Sequence, residues 1–228
     1  MLLEFEHVTG TSKNFHLEDV SFSLPAGYIM GLAGKNGAGK TTLIDYIMNP
    51  KKNYTGTIRL NGEDVHGSHA YMNNKIGFVS EENQFLKERS ASQNVEILSV
   101  FYENWDMDLF CDAMHNMNLS TKKVVGKMSR GELMKFQLAF AMAHKPVLYL
   151  LDEVTAGMDP VFRIDFFKIL HKVIETEEAS VLMTSHIQDE ITKKMDYAGV
   201  LEKGRLISFG ESIDFSHSKR TETEESVF

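Results

Sequence analysis

Apolar and polar residues alternate near the start of the chain with the period of two that is typical of half-buried β-strands. Leu3 and Phe5 alternate with Glu4 and Glu6, and a second alternating run ends at Leu24. A third short run leads into an Asn-Gly dipeptide, which is a strong signal for a hairpin turn. The pattern therefore predicts a small layer of antiparallel strands.

Several later runs are apolar throughout, which predicts a parallel core sheet that is buried on both faces. These runs are Tyr28–Ala33, Ile76–Val79, Val147–Leu151 and Val181–Met183. Helical spacing is predicted for the segments Thr41–Met48, Pro160–Glu175 and His186–Met195. With a final hairpin expected at Val200–Ile207, the predicted fold class is α/β, with a mixed sheet beside the antiparallel layer.

Between residues 85 and 145 the apolar residues fall at helical spacing instead, for example at Val95, Leu98 and Tyr102. We interpret this stretch as a helical subdomain inserted into the α/β core. Core and insertion together are predicted to form one domain over residues 1–215, and the polar, acidic residues 216–228 are expected to form a loose tail.

Bulk composition restricts the classes of partner. The net charge is −8, which argues against nucleic acid because no basic excess is present to neutralise phosphates. No apolar run approaches the ~20 residues that span a bilayer, and no signal-peptide pattern is present, so a membrane role is expected to come through a partner. The single cysteine, Cys111, is interpreted as a small core residue.

The segment Gly34–Thr42 matches the phosphate-binding pattern G-x-x-x-x-G-K-[ST] in full, between an apolar strand and a helix. Glycines let several backbone N–H groups converge on one anion, and the helix adds its positive N-terminus. Lys40 can neutralise the β- and γ-phosphates, and the Thr41 hydroxyl can bind Mg²⁺. The residues predicted to contact the nucleotide here are Gly34, Asn36, Gly37, Ala38, Gly39, Lys40, Thr41 and Thr42.

Two carboxylates, Asp152 and Glu153, end the apolar strand that begins at Val147. Such a strand places Asp152 beside a phosphate loop, where it can hold Mg²⁺ directly or through water. Glu153 is then placed to orient or deprotonate an attacking water. An acidic pair at a strand end is a weak signal alone, but beside a phosphate loop it is a strong one.

Ser129 and Glu132 match the capping box S-x-x-E at the start of a helix with one apolar face. Capping alone would explain both residues. The helix N-terminus, with the exposed backbone of Gly131, is also a suitable anion site.

Taken in order, these motifs resemble those of an ATP-binding-cassette (ABC) ATPase, the nucleotide-binding subunit of an ABC transporter. The motifs are the phosphate loop, Ser129–Glu132, Asp152–Glu153, Ala156–Asp159 and Thr184–His186. The resemblance runs from Leu2 to about Gly210 and implies a P-loop NTPase core with an inserted helical subdomain.

The resemblance also implies how ATP and Mg²⁺ are bound. Two copies, or one copy and a paralogue, would enclose two ATP molecules. Ser129 and Gly131, with Glu132, match the signature motif, which contacts the γ-phosphate held by the second subunit. Asp159 matches the aspartate of a loop that crosses the dimer interface, to which Ser129 also belongs. His186 matches the switch histidine, which makes it a catalytic residue together with Glu153 and Lys40.

The chain departs from the family pattern at three places. Its signature reads Met-Ser-Arg-Gly-Glu instead of Leu-Ser-Gly-Gly-Gln, so Arg130 replaces a glycine. Glu81 replaces a glutamine near the metal, and we assign it to the metal site with Thr41 and Asp152 because hard cations accept carboxylate oxygens. The adenine-stacking aromatic is not evident, and Phe15 is our candidate. Arg130 and Glu81 look similar to variants among bacterial ABC-2-type, YtrB-like export ATPases.

The function that the resemblance implies is ATP hydrolysis that drives a separate multi-helix permease, with export as the direction. The chain would then be cytoplasmic and bound to the inner face of the membrane through the permease. We expect a short permease helix to bind in a groove with Phe85 and Tyr102 as apolar anchors. The alternative is a soluble ABC ATPase of the iron–sulfur assembly type, which is also a single cassette.

Overall fold

The structure is a computed structural model. It describes residues 1–12, 15–49, 51–66, 69–82, 85–155, 158–175, 178–186 and 194–213. Three sequence predictions therefore lie wholly or partly outside the described residues: the tail 216–228, residues 187–193 of the helix expected from His186, and Ala156 and Gly157.

The strands are β1 (Leu3–Ser12), β2 (Phe15–Leu24), β3 (Ile29–Ala33), β4 (Tyr54–Leu60), β5 (Glu63–Asp64), β6 (Ile76–Ser80), β7 (Leu148–Asp152), β8 (Ser180–Ser185), β9 (Tyr197–Glu202) and β10 (Arg205–Glu211). The helices are α1 (Lys40–Met48), α2 (His69–Lys75), α3 (Ala91–Leu98), α4 (Met107–Asn116), α5 (Arg130–Ala143) and α6 (Pro160–Ile174). Short 3₁₀ turns lie at Ser99–Phe101 and Val125–Lys127.

The first sheet is antiparallel, with the strand order β2-β1-β4-β5. Its inward face is apolar, and the stacked rings of Phe5 and Phe22 lie 4.5 Å apart. Asn61 and Gly62 both have positive φ, which suits the tight hairpin turn between β4 and β5. The predicted antiparallel layer is therefore confirmed.

The second sheet has the order β10-β9-β3-β8-β7-β6. Neighbouring strands from β9 to β6 are parallel, and β10 closes the sheet as an antiparallel hairpin. Every residue of β3 and β8 is buried, which agrees with the apolar runs predicted at Tyr28–Ala33 and Val181–Met183. The α/β class with a mixed sheet is confirmed.

The segment between β6 and β7 is helical. Its buried side chains join those of the second sheet in one hydrophobic cluster, which includes Val79 from β6 and Phe136 from α5. No helix in the described part of the chain has both the length and the apolar character needed to cross a bilayer. The core position predicted for Cys111 is wrong: α4 buries Phe110 and Ala113, and Cys111 lies exposed on another face.

A buried histidine ends α5. His144 is 2% exposed and stacks on Tyr102, with ring centroids 4.3 Å apart. Among the described residues, its Nδ1 atom has no hydrogen-bond partner. Burial lowers the pKa of His144 to about 4, although hydrogen bonding with the Asn74 backbone acts in the opposite direction.

This lowered pKa predicts a loss of stability in acid. The unfolded chain binds the His144 proton below pH ~6.5 while the folded chain resists it down to about pH 4, so the stabilisation present above pH 6.5 falls across that window. We expect the contribution to the free energy of unfolding to be about 2 kcal/mol smaller at pH 5 than at pH 7.5. Urea unfolding at both pH values measures it. His144→Phe should reduce the dependence of the unfolding free energy on pH. The control His115→Gln, at an exposed histidine, should leave it unchanged. Equal pH dependence in all three proteins would show that His144 is not the group responsible.

The turn of the last hairpin holds the phosphate loop in place. The Gly204 N–H donates to the carbonyl oxygen of Ala38 at 3.0 Å, and the Gly204 carbonyl accepts the N–H of Glu18 at 2.8 Å. Gly204 has φ +86, and a Cβ there would collide with the carbonyl oxygen of His16. Only glycine fits this position, which ties the loop to β2.

Two glycine substitutions test this role. Gly62 also has positive φ in a hairpin turn, but a Cβ there would meet nothing within 4 Å. We expect Gly62→Ala to cost about 1 kcal/mol of unfolding free energy through backbone strain alone, and Gly204→Ala to cost at least about 2 kcal/mol because of the added collision. Equilibrium denaturation compares the two variants. Equal losses would show that the turn does not hold the loop.

Candidate active site

Parallel register brings the predicted motifs to one edge of the second sheet. Ala33 pairs with Ser185, and Asp152 pairs with Thr184 on one side and Ser80 on the other. The carboxyl ends of β3, β6, β7 and β8 therefore lie side by side. Open α/β sheets bind ligands at this kind of edge.

The phosphate loop leads into a helix whose N-terminus is left uncapped. Gly39 is the N-cap residue of α1, with φ +111, and it provides no side-chain hydrogen bond. The first turn of α1 has no acidic residue, whereas α3, α4, α5 and α6 all have side-chain caps. The free N–H groups of α1 therefore fit a phosphate, which would satisfy them.

Lys40 brings a buried charge to the centre of this loop. Its side chain is 5% exposed, and its Nζ donates to the carbonyl oxygen of Gly34 at 2.6 Å. Its counter-charge is the Glu153 carboxylate at 2.9 Å. A buried ammonium must be paired, and phosphate oxygens entering the loop could serve as a second anionic partner.

Two hydroxyl groups hold Asp152. Thr41 Oγ1 donates to Asp152 Oδ2 at 3.1 Å, and Thr184 Oγ1 donates to Asp152 Oδ1 at 2.6 Å. The predicted neighbours Thr41 and Asp152 therefore lie together, as an all-oxygen set that fits Mg²⁺.

The adjacent carboxylate, Glu153, is held in an uncommon backbone conformation. Its φ is +53, in the left-handed region that costs a non-glycine residue about 1–3 kcal/mol. Its N–H donates to the Thr184 hydroxyl at 3.0 Å, so this hydroxyl bonds to Asp152 and Glu153 at once. Sequence reasoning gave Thr184 no role. Its place directly after the apolar run Val181–Met183 was the available signal.

The Glu153 carboxylate lies between two basic groups. His186 Nδ1 is 2.8 Å from Oε2, and Lys40 Nζ is 2.9 Å from Oε1. Burial raises the pKa of Glu153, but the hydrogen bonds with His186 and Lys40 outweigh burial, and the net pKa is lowered. Glu153 is therefore ionised at neutral pH and can accept a hydrogen bond or a proton. The predicted catalytic residues Lys40, Glu153 and His186 form one contact group.

An open cavity of about 570 Å³ lies beside Asp152, with Phe15, Thr41 and Thr42 in its wall. The ring of Phe15 lies so close to the loop that a Cβ at Gly39 would be 2.5 Å from it. Phe15 therefore lies beside the phosphate loop, and its base-stacking role stays a prediction. Phe78, which is 38% exposed, lines the same cavity and was not among our candidates.

The signature segment forms the predicted capping box. The Ser129 hydroxyl accepts the Glu132 N–H at 3.3 Å, and the Glu132 carboxylate accepts the Ser129 N–H at 2.8 Å. Lys123 Nζ bonds both Glu132 oxygens at 2.6 and 2.8 Å. The Lys123 and Ser129 hydrogen bonds lower the pKa of Glu132. Glu132 thus shapes the capping turn, and the Gly131 backbone lies at the surface of that turn.

Ser129 and Asp159 share one surface. With Gly131 and Phe162 they line a shallow cavity of about 380 Å³. Asp159 also caps α6, since its Oδ1 accepts the Val161 N–H at 2.7 Å. The two residues predicted for the dimer interface are therefore neighbours.

Glu81 follows Ser80, which pairs with Asp152. The Glu81 carboxylate contacts Arg130, the other residue at which the chain departs from the family pattern. Arg130 Nη2 donates to Glu81 Oε2 at 3.2 Å. No pattern in the sequence predicted this contact.

Comparison with known proteins agrees with this geometry. Residues 17–156 match the ABC transporter family, which is more than half of the chain. The bacitracin transport ATP-binding protein BcrA of Bacillus licheniformis is 29% identical over 206 residues, covering 90% of this chain and 66% of BcrA. The ABC transporter ATP-binding protein YtrB of Bacillus subtilis is 30% identical over 190 residues, covering 83% of this chain and 65% of YtrB.

The chain thus spans slightly less than two thirds of the length of these two relatives. A solved ATP-binding subunit of an ABC transporter superposes with a TM-score of 0.85 at 22% identity, covering 96% of this chain and 93% of that one. The predicted resemblance is confirmed: the chain belongs to the ABC transporter family and has the fold of its ATP-binding subunits.

Proposed function

We propose that this chain hydrolyses ATP and thereby drives a separate membrane permease, from the cytoplasmic face of the membrane. The observation that carries the proposal is the contact group of Lys40, Glu153 and His186 beside an uncapped helix N-terminus. These groups combine an anion site with an ionised base, which is what phosphoryl transfer to water requires.

The side chains have distinct tasks in this reaction. Lys40 binds the phosphates, and Glu153, once Lys40 bonds to phosphate, is free to orient a water and accept its proton. His186 holds the carboxylate through Nδ1 and fixes its direction. Mg²⁺, when bound, neutralises phosphate charge, and Thr41 and Asp152 are the residues that would hold it.

The proposed active unit is a dimer. Ser129 and Asp159 lie together on one surface, which supports their use as a contact with a second copy or a paralogue. Each nucleotide-binding site would then be completed by the capping turn of the other subunit, where the Gly131 backbone and the α5 N-terminus present N–H groups.

The proposed permease site is a groove of about 550 Å³ beside α5. Phe85 and Tyr102 form its floor and pack on Phe140, with centroids 5.1 and 5.5 Å away. Phe101 at the rim is 72% exposed. An apolar floor with an exposed aromatic at its edge suits a short amphipathic helix, and it makes Phe101 a better anchor than the half-buried pair.

Transport is favoured over iron–sulfur assembly by the relatives, since BcrA is a bacitracin transport protein and YtrB is an ABC transporter protein. The direction of export rests on the similarity of Glu81 and Arg130 to ABC-2-type variants.

Two substitutions separate chemistry from binding. Glu153→Gln should lower ATP turnover at least 100-fold, because the base is lost, while ATP stays bound. Lys40→Ala should weaken ATP binding by roughly tenfold or more, because a charged hydrogen-bond partner is removed. Steady-state hydrolysis and calorimetric titration measure the two effects, with the exposed Glu175→Gln as the control. Parental turnover by Glu153→Gln would rule out Glu153 as the base.

The groove is tested by Phe101→Arg. The charge should displace an apolar permease helix and release the permease, while ATP affinity remains within about twofold because the residue is solvent-exposed. Ile207→Arg on β10, where the parent side chain is 57% exposed, is the control. Co-purification from native membranes with mass spectrometry is the measurement. If the permease co-purified with the Phe101→Arg variant and not with the Ile207→Arg variant, the permease would bind outside the groove.

A further inference from the structure

Two residues that depart from the family pattern contact each other. Glu81 stands where the family has glutamine, and Arg130 where it has glycine. Their side chains form an ion pair of 3.2 Å. The pair connects the end of β6, beside Asp152, with the first residue of α5, next to the signature serine.

Arg130 is poorly placed for helix stability. It is the first residue of α5, where the positive end of the helix dipole disfavours a cation. The nearby Glu81 carboxylate offsets this repulsion. The stability of the helix therefore does not explain an arginine at this position, whereas its contact with Glu81 does.

A second contact joins the same two elements. Gln137 lies two turns further along α5, on the face that Arg130 shares. Its Oε1 accepts the Ser80 N–H at 3.2 Å, and its Nε2 donates to the Ser80 carbonyl at 2.8 Å. Gln137 is 3% exposed. Helix α5 is thus attached to consecutive residues of one strand end, by Gln137 to Ser80 and by Arg130 to Glu81.

The two attachments differ in strength. The amide contact is buried and bonds both backbone groups of Ser80, so its loss would leave buried polar groups unpaired. The ion pair is exposed, with side-chain exposures of 39% for Arg130 and 64% for Glu81. Exposed pairs contribute little and open easily. The buried contact can therefore act as a fixed point, and the ion pair as an adjustable one.

We propose that Arg130 and Glu81 are a positioning pair. The pair fixes the position of the signature turn, which is the capping turn at Ser129–Glu132, relative to the end of β6 beside the nucleotide site. The pair holds the N-terminus of α5 so that Ser129 and Gly131 are presented to the nucleotide of a second subunit. Loss of either charge leaves the other unpaired and shifts the turn. Loss of both charges leaves neither one unpaired. This role rests on the proposed ATP-driven dimer.

A double-mutant cycle tests the pair. Glu81→Gln, Arg130→Gln and the double variant are made in the Glu153→Gln background, and the dimer dissociation constant with Mg²⁺ and ATP is measured by sedimentation. Each single change should raise this constant roughly two- to fivefold. The double variant should be no worse than the more impaired single one, because coupled sites are not additive. Arg130→Lys keeps the charge and should stay near the parent value.

The control is the ion pair of Glu6 and Arg59 on the antiparallel sheet, which is 2.8 Å long with similar exposures of 53% and 38%. The same substitutions there should leave the dimer constant unchanged. Additive losses in the Glu81–Arg130 cycle would overturn the positioning role. It would also be overturned if Glu81→Gln raised the dimer constant while Arg130→Gln left it unchanged, because Glu81 would then act at the metal and not through Arg130. If the parent bound no ATP by calorimetry, the proposed function itself would fail, and the positioning role with it.

Discussion

Parallel pairing of β6, β7, β8 and β3 is the constraint on which the site depends. Residue-by-residue register places Leu32, Thr184, Asp152 and Ser80 in one row. The groups that follow these residues are the phosphate loop, His186, Glu153 and Glu81. A slip of one residue in any pairing would turn a strand's side chains to its other face, so burial of both faces also fixes the chemistry at the edge.

Within that row, one hydroxyl organises the acidic pair. Thr184 donates to Asp152 and accepts from the backbone of Glu153, whose φ is positive. The hydrogen bond compensates part of the strain and turns the Glu153 side chain toward Lys40 and His186. The lowered pKa of this carboxyl follows from those two contacts, so the backbone strain and the ionised base have one structural origin.

Local patterns in the sequence predicted the local parts of the site. The phosphate loop, the Ser129 capping box and the strand ending at Asp152 are each encoded within about ten residues, and each was found where predicted. Contacts between distant segments carry no such pattern. Gly204 reaching Ala38 and Glu81 reaching Arg130 depend on how separate elements pack, and composition alone misplaced Cys111 because it ignored the helical face.

Helix α5 connects the two ends of the proposed mechanism. It has 14 residues, which corresponds to a length of about 21 Å. Arg130 and the signature turn lie at its first residues, and Phe140 and the buried His144 line the groove at its last turn. Because most of its side chains are buried, the helix cannot bend locally without opening the core, and it must move as one body. A displacement of the signature turn would therefore also move the residues of α5 that line the groove. The Gln137–Ser80 contact lies between the two ends and would act as the fixed point.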